Sequence, residues 1–392
     1  MKTRTVQLGD VCEFVRGVTF DKAAATTSPA SSMVPILRAG NIGTELNSQD
    51  DLIWVPESFV ADEQRLRQND IVICMSSGSP EVVGKTARVP ANLSASIGSF
   101  CGIIRPRQHE HAAFLSFFFR STVFARLRDT IARGANIQNL RFAEFAEIEI
   151  ELPSEQQRIA GVLEQADRLR RTRRYALELS DSFLPAAFRQ LFGDPVRNSL
   201  GWPCVELEEV AEVDRGKFTP RPRNDPSYYG GTFPFIQTGD ISNSGGHLNS
   251  WTQTLNEKGV RVSRSFPPGT VVIAIVGATI GMTSILEIEV YCPDSVVGIQ
   301  VNRAKATVEY LEMLLRFWRP VFLAQAPETA RANLNLDALR PLRIPLPPLA
   351  LQQQFASLVS RHERLRAVQR ESLRQAEHLF QSLLHRAFTT GL

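Results

Sequence analysis

Hydrophobic residues along this chain fall into two recurring patterns. Short β-branched runs, among them Ile71–Cys74, Gly102–Ile104, Val271–Val276 and Val296–Val301, sit between clusters of Gly, Pro, Asn and Ser, the pattern of short buried strands. Helical spacing replaces it in four places. His111 to Arg128 and Thr307 to Arg319 carry apolar residues three and four apart (Leu115, Phe118, Phe119; Leu311, Leu314, Leu315) and predict one core helix in each half, with Pro320 ending or kinking the second. From Ser154 to about Phe192 a narrower stripe of Ile159, Val162, Leu163, Ala166 and Leu169 runs amid Arg and Glu, and Pro185 predicts a bend near its end. From Leu351 to about Phe388 a second stripe is formed by Phe355, Leu358, Val359, His362, Leu365, Leu373, Ala376, Leu379 and Leu383. Such narrow seams each ask for one partner helix, and the obvious partner for each is the other, paired antiparallel.

The chain repeats itself. Val6–Gly17 returns as Val205–Gly216 with six of twelve positions identical, and Pro35–Ile42 returns as Pro234–Ile241 at the same offset. After small gaps Asp70–Cys74 matches Thr270–Ala274, Cys101–Ile104 matches Val297–Gln300, and Leu152–Ala160 matches Leu346–Ala356. The reading is domain, helix, domain, helix, with boundaries at 1–153, 154–196, 197–349 and 350–392. The fold class expected is α+β: two β-rich domains in tandem pseudo-repeat, separated by two long antiparallel helices in a coiled-coil-like stalk.

Composition narrows the possible functions. Five scattered cysteines with no CxxC pair suggest neither a disulfide framework nor a zinc site, and the longest apolar run, Val271–Met282, is too short to span a bilayer, so a cytoplasmic protein without a membrane partner is expected. Net charge divides as −1, +1, 0 and +3 over the four segments, so neither large domain is basic overall. Of 44 basic residues 38 are Arg, a side chain suited to bidentate contact with phosphate, carboxylate or guanine. Catalytic patterns are missing: Pro293-Asp294 is not followed by ExK, no Asn/Asp-Pro-Pro-aromatic run exists, and Gly277–Gly281 lacks the Lys-Ser/Thr of a phosphate loop. His109-x-His111 has no third clustered ligand. The chain is therefore expected to be non-catalytic and to need no cofactor.

At this point a family likeness appears. The run Gly216–Ile241 (GKFTPRPRNDPSYYGGTFPFIQTGDI) resembles the opening of a target-recognition domain in the specificity subunits of type I restriction-modification systems. So do Phe192-Gly-Asp-Pro195, Ile344–Ala350 before the second long helix, and the terminal Leu379–Phe388. The resemblance implies two target-recognition domains on double-stranded DNA, each reading one half-site, with the helix pair fixing the unread spacer. It also implies two methyltransferase subunits, which methylate adenine N6 with S-adenosylmethionine, and two ATP-driven restriction/translocase subunits as partners. Helices of roughly 55 Å at ~1.5 Å per residue suit major grooves about one turn (~34 Å) apart.

Base reading favours side chains with fork or amide geometry on glycine-bearing loops. The equivalent loops at Arg38 and Asn41 and at Gln237 and Thr238 are candidates for base edges, or are turns between strands. Lys217, Arg221 and Arg223 are candidates for phosphate contact with Tyr228 beside them; Ser77 with Lys85, and Thr279, lie in glycine loops that also read as hairpin turns. Arg133, Asn136 and Gln138 match Arg331, Asn333 and Asn335 as polar loops at one place in both repeats. Ile159, Leu163, Ala166, Leu169, Phe355, Leu358, Leu365 and Leu379 are expected in helix–helix packing. The near-neutral charge keeps open an alternative, a coiled-coil scaffold or adaptor that binds protein partners through its duplicated domains.

Overall fold

The computed structural model describes residues 3–132, 140–325 and 334–392. It divides into two units, Met1–Arg174 with Glu371–Leu392, and Tyr175–Arg370.

In the first unit an antiparallel sheet has the strand order Cys12–Arg16, Cys101–Pro106, Ile71–Cys74, Thr86–Arg88, and a three-stranded sheet has Met33–Leu37 between Ile53–Pro56 and Ser96–Ile97. The second unit repeats the plan. Its five-stranded sheet runs Ala211–Arg215, Val296–Val301, Val271–Ala274, Thr283–Leu286, His247–Leu248, and its four-stranded sheet runs Gln253–Leu255, Tyr229–Phe235, Val290–Cys292, Arg264–Phe266. Successive side chains of a strand point to opposite faces, so a strand covered on both sides must be apolar throughout. Ile71–Cys74 and Val271–Ala274 are such strands. Ile71 and Ile73 enter the core against the helices while Val72 and Cys74 enter the core between strands, and Val271, Ile273, Val272 and Ala274 do the same.

The repeat extends to individual backbone bonds. Met75 N–H donates to the Phe100 carbonyl and Leu140 N–H to the Met75 carbonyl; in the second unit Ile275 N–H donates to Ser295 and Leu334 N–H to Ile275. Gly84 and Gly281 sit at the same turn with φ of +84° and +74°, a region that favours glycine, and a Cβ there would meet Arg128 or Arg319. One sequence match moves by a residue. Cys74 pairs with Cys101 and Ala274 with Val296, so the structural counterpart of Gly102 is Val297. A one-residue slip turns a side chain to the opposite face: Gly102 is covered by Phe142, and Gly298 by Phe266.

The expected helix at 111–128 is two, His109–Phe118 and Thr122–Ala132, because Ser121 accepts the Phe124 N–H and starts the second. Its counterpart Val308–Gln325 runs on past Pro320. The long segment after the first β-rich region also divides, into Gln156–Asp181 and Phe183–Phe192. The break falls ahead of Pro185, whose ring would clash with the carbonyl four residues earlier, at Asp181. The last helix, Leu349–Thr389, is continuous over 41 residues.

Helix pairing is antiparallel within each unit. In the first, Ile159, Leu163 and Ala166 share a core with Phe380 and Leu384, the Arg170 guanidinium lies 4.2 Å from the centre of the Phe380 ring, and Arg174 pairs with Glu377. In the second, Phe188 and Phe192 pack 5.3 and 5.7 Å from Phe355, and His362 is 3.0 Å from the Ser180 carbonyl. One constant sequence offset relates Ile159 to Phe355, Leu163 to Val359, Leu184 to Phe380, Phe188 to Leu384 and Phe192 to Phe388. Each unit is thus closed by the start of one long helix and the end of the other.

Three expected seam residues face solvent instead: Leu169, Leu365 and Leu379 are 39, 64 and 46 % exposed. Alternating steps of three and four along the last helix pass through Phe355, Val359, His362, Arg366, Gln369, Leu373, Ala376 and Phe380, so its phase is carried across the middle by polar residues and excludes Leu365 and Leu379. Leu358 is half-buried at the flank of the seam. Phe355→Ala is expected to destabilise the second unit by about 3–5 kcal/mol, and Leu365→Ala to change stability by less than about 0.5 kcal/mol; urea unfolding of the two variants measures the difference.

Candidate nucleic-acid interface

Two turns that start the same way carry the most chemistry. After strand Met33–Leu37 the chain makes a single 3-10 turn, Ala39–Asn41, and after Tyr229–Phe235 it makes the short helix Thr238–Asn243. Asn41 Oδ1 accepts the Arg38 N–H at 2.8 Å, and Asp240 Oδ2 accepts the Gln237 N–H at 2.7 Å. A short side-chain acceptor three residues into the turn satisfies the first N–H in both repeats.

This overturns one expectation. Asn41 is only 2 % exposed, and its amide donates to the carbonyls of Asn47 and Asp50, so no part of it is left for a base. Arg38 is exposed, with one guanidinium nitrogen donating to the Asp51 carbonyl at 3.1 Å. It opens onto a cleft of about 530 Å³ lined also by Asp51, Ser76, Ser77, Gly78 and Phe100. The fold therefore brings Arg38 and Ser77 together, although Ser77 Oγ also accepts the Ser79 N–H. Lys85 is exposed on the neighbouring strand connection and does not line the cleft.

In the second unit Gln237 and Thr238 are half-buried, and the Gln237 amide donates to Gln253 at 3.1 Å. Two glutamines held amide to amide present one ordered donor and acceptor set. Gln253 was missed in the sequence because its strand is short and its partner lies 16 residues away, in the turn that follows another strand. Trp251, two residues before it, is 39 % exposed.

The basic stretch of this unit is less free than its composition suggests. Arg221 and Arg223 lie 3.4 and 2.7 Å from the Asp294 carboxylate, and Arg221 also donates to the carbonyls of Phe218 and Pro220. Their guanidiniums hold the loop while their side chains stay about half exposed. Lys217 remains exposed. Tyr228 is a packing residue: it meets Phe218 edge-on and carries the Lys258 ammonium 4.3 Å above its ring. Thr279 donates to the Val276 carbonyl and closes its own turn, and Asn335 Oδ1 accepts the Ala338 N–H as a helix cap. Arg133, Asn136, Gln138, Arg331 and Asn333 lie outside the described residues.

Other arginines are fixed by burial. Arg105 makes a two-pronged pair with Asp70 at 2.8 and 2.9 Å, which raises its already high pKa, and Asp167 takes both Arg120 and Arg170. His111 is buried against Gln156 at 3.0 Å, and no group of three His, Cys, Asp or Glu that could hold a metal occurs among the described residues. No helix among them is long and apolar enough to cross a membrane.

Two copies of one β-rich unit, each carrying a capped turn that begins with Arg38 or Gln237, define a duplicated chain. The chain belongs to the family of the type I restriction modification DNA specificity domain, whose model matches residues 2–179 and again 200–378. It is 33 % identical over 216 residues to the type I restriction enzyme StySPI specificity subunit of Salmonella potsdam, covering 52 % of this chain and 47 % of that protein. It is 36 % identical over 156 residues to the EcoKI specificity subunit of Escherichia coli (strain K12), covering 39 % and 34 %. The chain thus spans about half or less of the length of the curated relatives it matches. A solved chain of a type I R-M system shares the fold with a TM-score of 0.60 at 19 % identity, over 100 % of this chain and 98 % of that one.

Asn41→Ala is expected to destabilise the first unit by about 1–3 kcal/mol, because it strands an N–H and two carbonyls. Arg38→Ala is expected to change stability by less than about 0.5 kcal/mol. Thermal melts of both variants test the division between a structural and an outward-facing residue.

Proposed function

We propose that this chain is the DNA-reading subunit of a type I restriction-modification assembly, each unit reading one half of a bipartite target. The observation that carries this reading is the family match in both halves of one chain, on two units with the same strand plan and the same capped turn. Arg38 would fork onto a guanine edge and the Gln237–Gln253 pair would present an amide to adenine. The long helices would set the unread spacer. Catalysis is assigned to partners: two methyltransferase subunits that modify adenine N6 and two ATP-driven restriction/translocase subunits. The pseudo-repeat suits two copies of each, because it offers equivalent surfaces twice. Near-neutral recognition units fit this division, since partners would supply much of the phosphate contact.

Exchange of residues 197–345 for the matching segment of another family member is expected to change one half of the methylated sequence and leave the other intact. Long-read methylation sequencing of cells expressing the hybrid with its methyltransferase reads this out; a change in both halves or in neither overturns the modular reading. In the same assay Arg38→Ala is expected to relax one base position of one half-site, a loss of about 1–3 kcal/mol of discrimination.

A further inference from the structure

Phe100 is the most exposed large hydrophobic residue among the described residues of the first unit, 67 % accessible, yet its carbonyl accepts two backbone N–H groups. It lies in the turn between strands Ser96–Ile97 and Cys101–Pro106, where Cys101 N–H donates to the Gly98 carbonyl at 2.8 Å. Gly98 N–H donates to Leu37, the residue before Arg38, at 2.9 Å. The Phe100 carbonyl itself accepts from Met75 and Ser76, immediately before Ser77, at 2.9 and 3.1 Å. Backbone bonds therefore stitch three loops together and bring Phe100 onto the lining of the same cleft as Arg38 and Ser77.

The fold does not need an aromatic ring there. In the second unit the same carbonyl position, bonded to Ile275 N–H, belongs to Ser295, which is small and buried. A water-facing ring on a backbone tied to two other loops, at a position where the other repeat has a small buried residue, is placed to meet a ligand. Within a stacked duplex only base edges are accessible, and the apolar group on a major-groove edge is the thymine C5-methyl, which a Phe side chain can cover. Arg38 and Ser77 beside it match the polar groups of neighbouring edges.

We propose that Phe100 reads a thymine methyl in the half-site of the first unit, next to the base read by Arg38. This rests on the DNA-reading function proposed above. It makes the ring a specificity determinant of one unit alone.

The test uses the chain assembled with its methyltransferase subunits on its mapped target duplex, each thymine of the first half-site being replaced in turn by deoxyuridine, which lacks only the methyl. Removal of one methyl is expected to weaken wild-type binding by about fourfold. Phe100→Ala is expected to bind both duplexes equally, and Phe100→Leu to keep part of the preference. No response at any thymine, an absence of thymine from the half-site, or a response that survives in Phe100→Ala overturns the proposal while leaving the DNA-reading function in place. Failure of Phe100→Ala to assemble with the methyltransferase also overturns it, marking the ring as a protein contact. Wild-type binding without sequence preference would instead remove the DNA-reading function, and this inference with it.

Discussion

Each β-rich unit is closed by two helix segments that belong to different repeats of the chain. The large residues Phe380 and Leu384 fill the core of the first unit, whereas Phe188, Phe192 and Phe355 fill that of the second. Apolar burial of this kind is non-directional and would tolerate sliding of one helix along the other. The polar residues of the seam do not. In the first unit Arg170 is buried between Asp167 and the Phe380 ring, and in the second His362 is held between Ser180 and Phe183. Sliding would leave the Asp167–Arg170 pair, which lies within one helix, intact, but it would carry Phe380 off the Arg170 guanidinium and His362 away from the Ser180 carbonyl, so these two cross-helix contacts select one register from those that burial alone would allow.

With the scaffold fixed in this way, the two units diverge at their tips. Features required by backbone geometry recur in both, including the capped turns of Asn41 and Asp240, the left-handed glycines 84 and 281, and the bonds of Met75 and Ile275. Residues beside them change in identity and exposure between repeats: exposed Arg38 stands against half-buried Gln237, and exposed Phe100 against buried Ser295. A duplicated frame with unlike tips suits recognition of two unlike half-sites.

The fold was largely legible in the sequence because duplication, strand runs and helical stripes are all periodic signals. Errors arose where periodicity was carried by polar residues. His362, Arg366 and Gln369 hold the phase of the last helix through its middle, and a stripe that includes His362 but passes over Arg366 and Gln369 slips onto Leu365 and Leu379. The candidate interface was half legible. Glycine-bearing turns at Arg38 and Gln237 were located, but the Asn41 amide is taken up by a loop that folds back onto it from Asn47 and Asp50, and the ion pairs of Arg221 and Arg223 depend on Asp294, distant in sequence. That Asn41 and Asp240 are both short acceptors at one turn position was a signal of capping. Phe100 carried no local signal, since nothing in its neighbours reveals that its turn is tied to two other loops.

The central claim is that the end of the last helix is part of the first unit's core. Hydrogen exchange on the full chain and on a chain ending at residue 370 tests it most directly. Loss of protection confined to the described residues before 174, with 175–370 still protected, is the expected result; unchanged protection in the first unit would contradict the account.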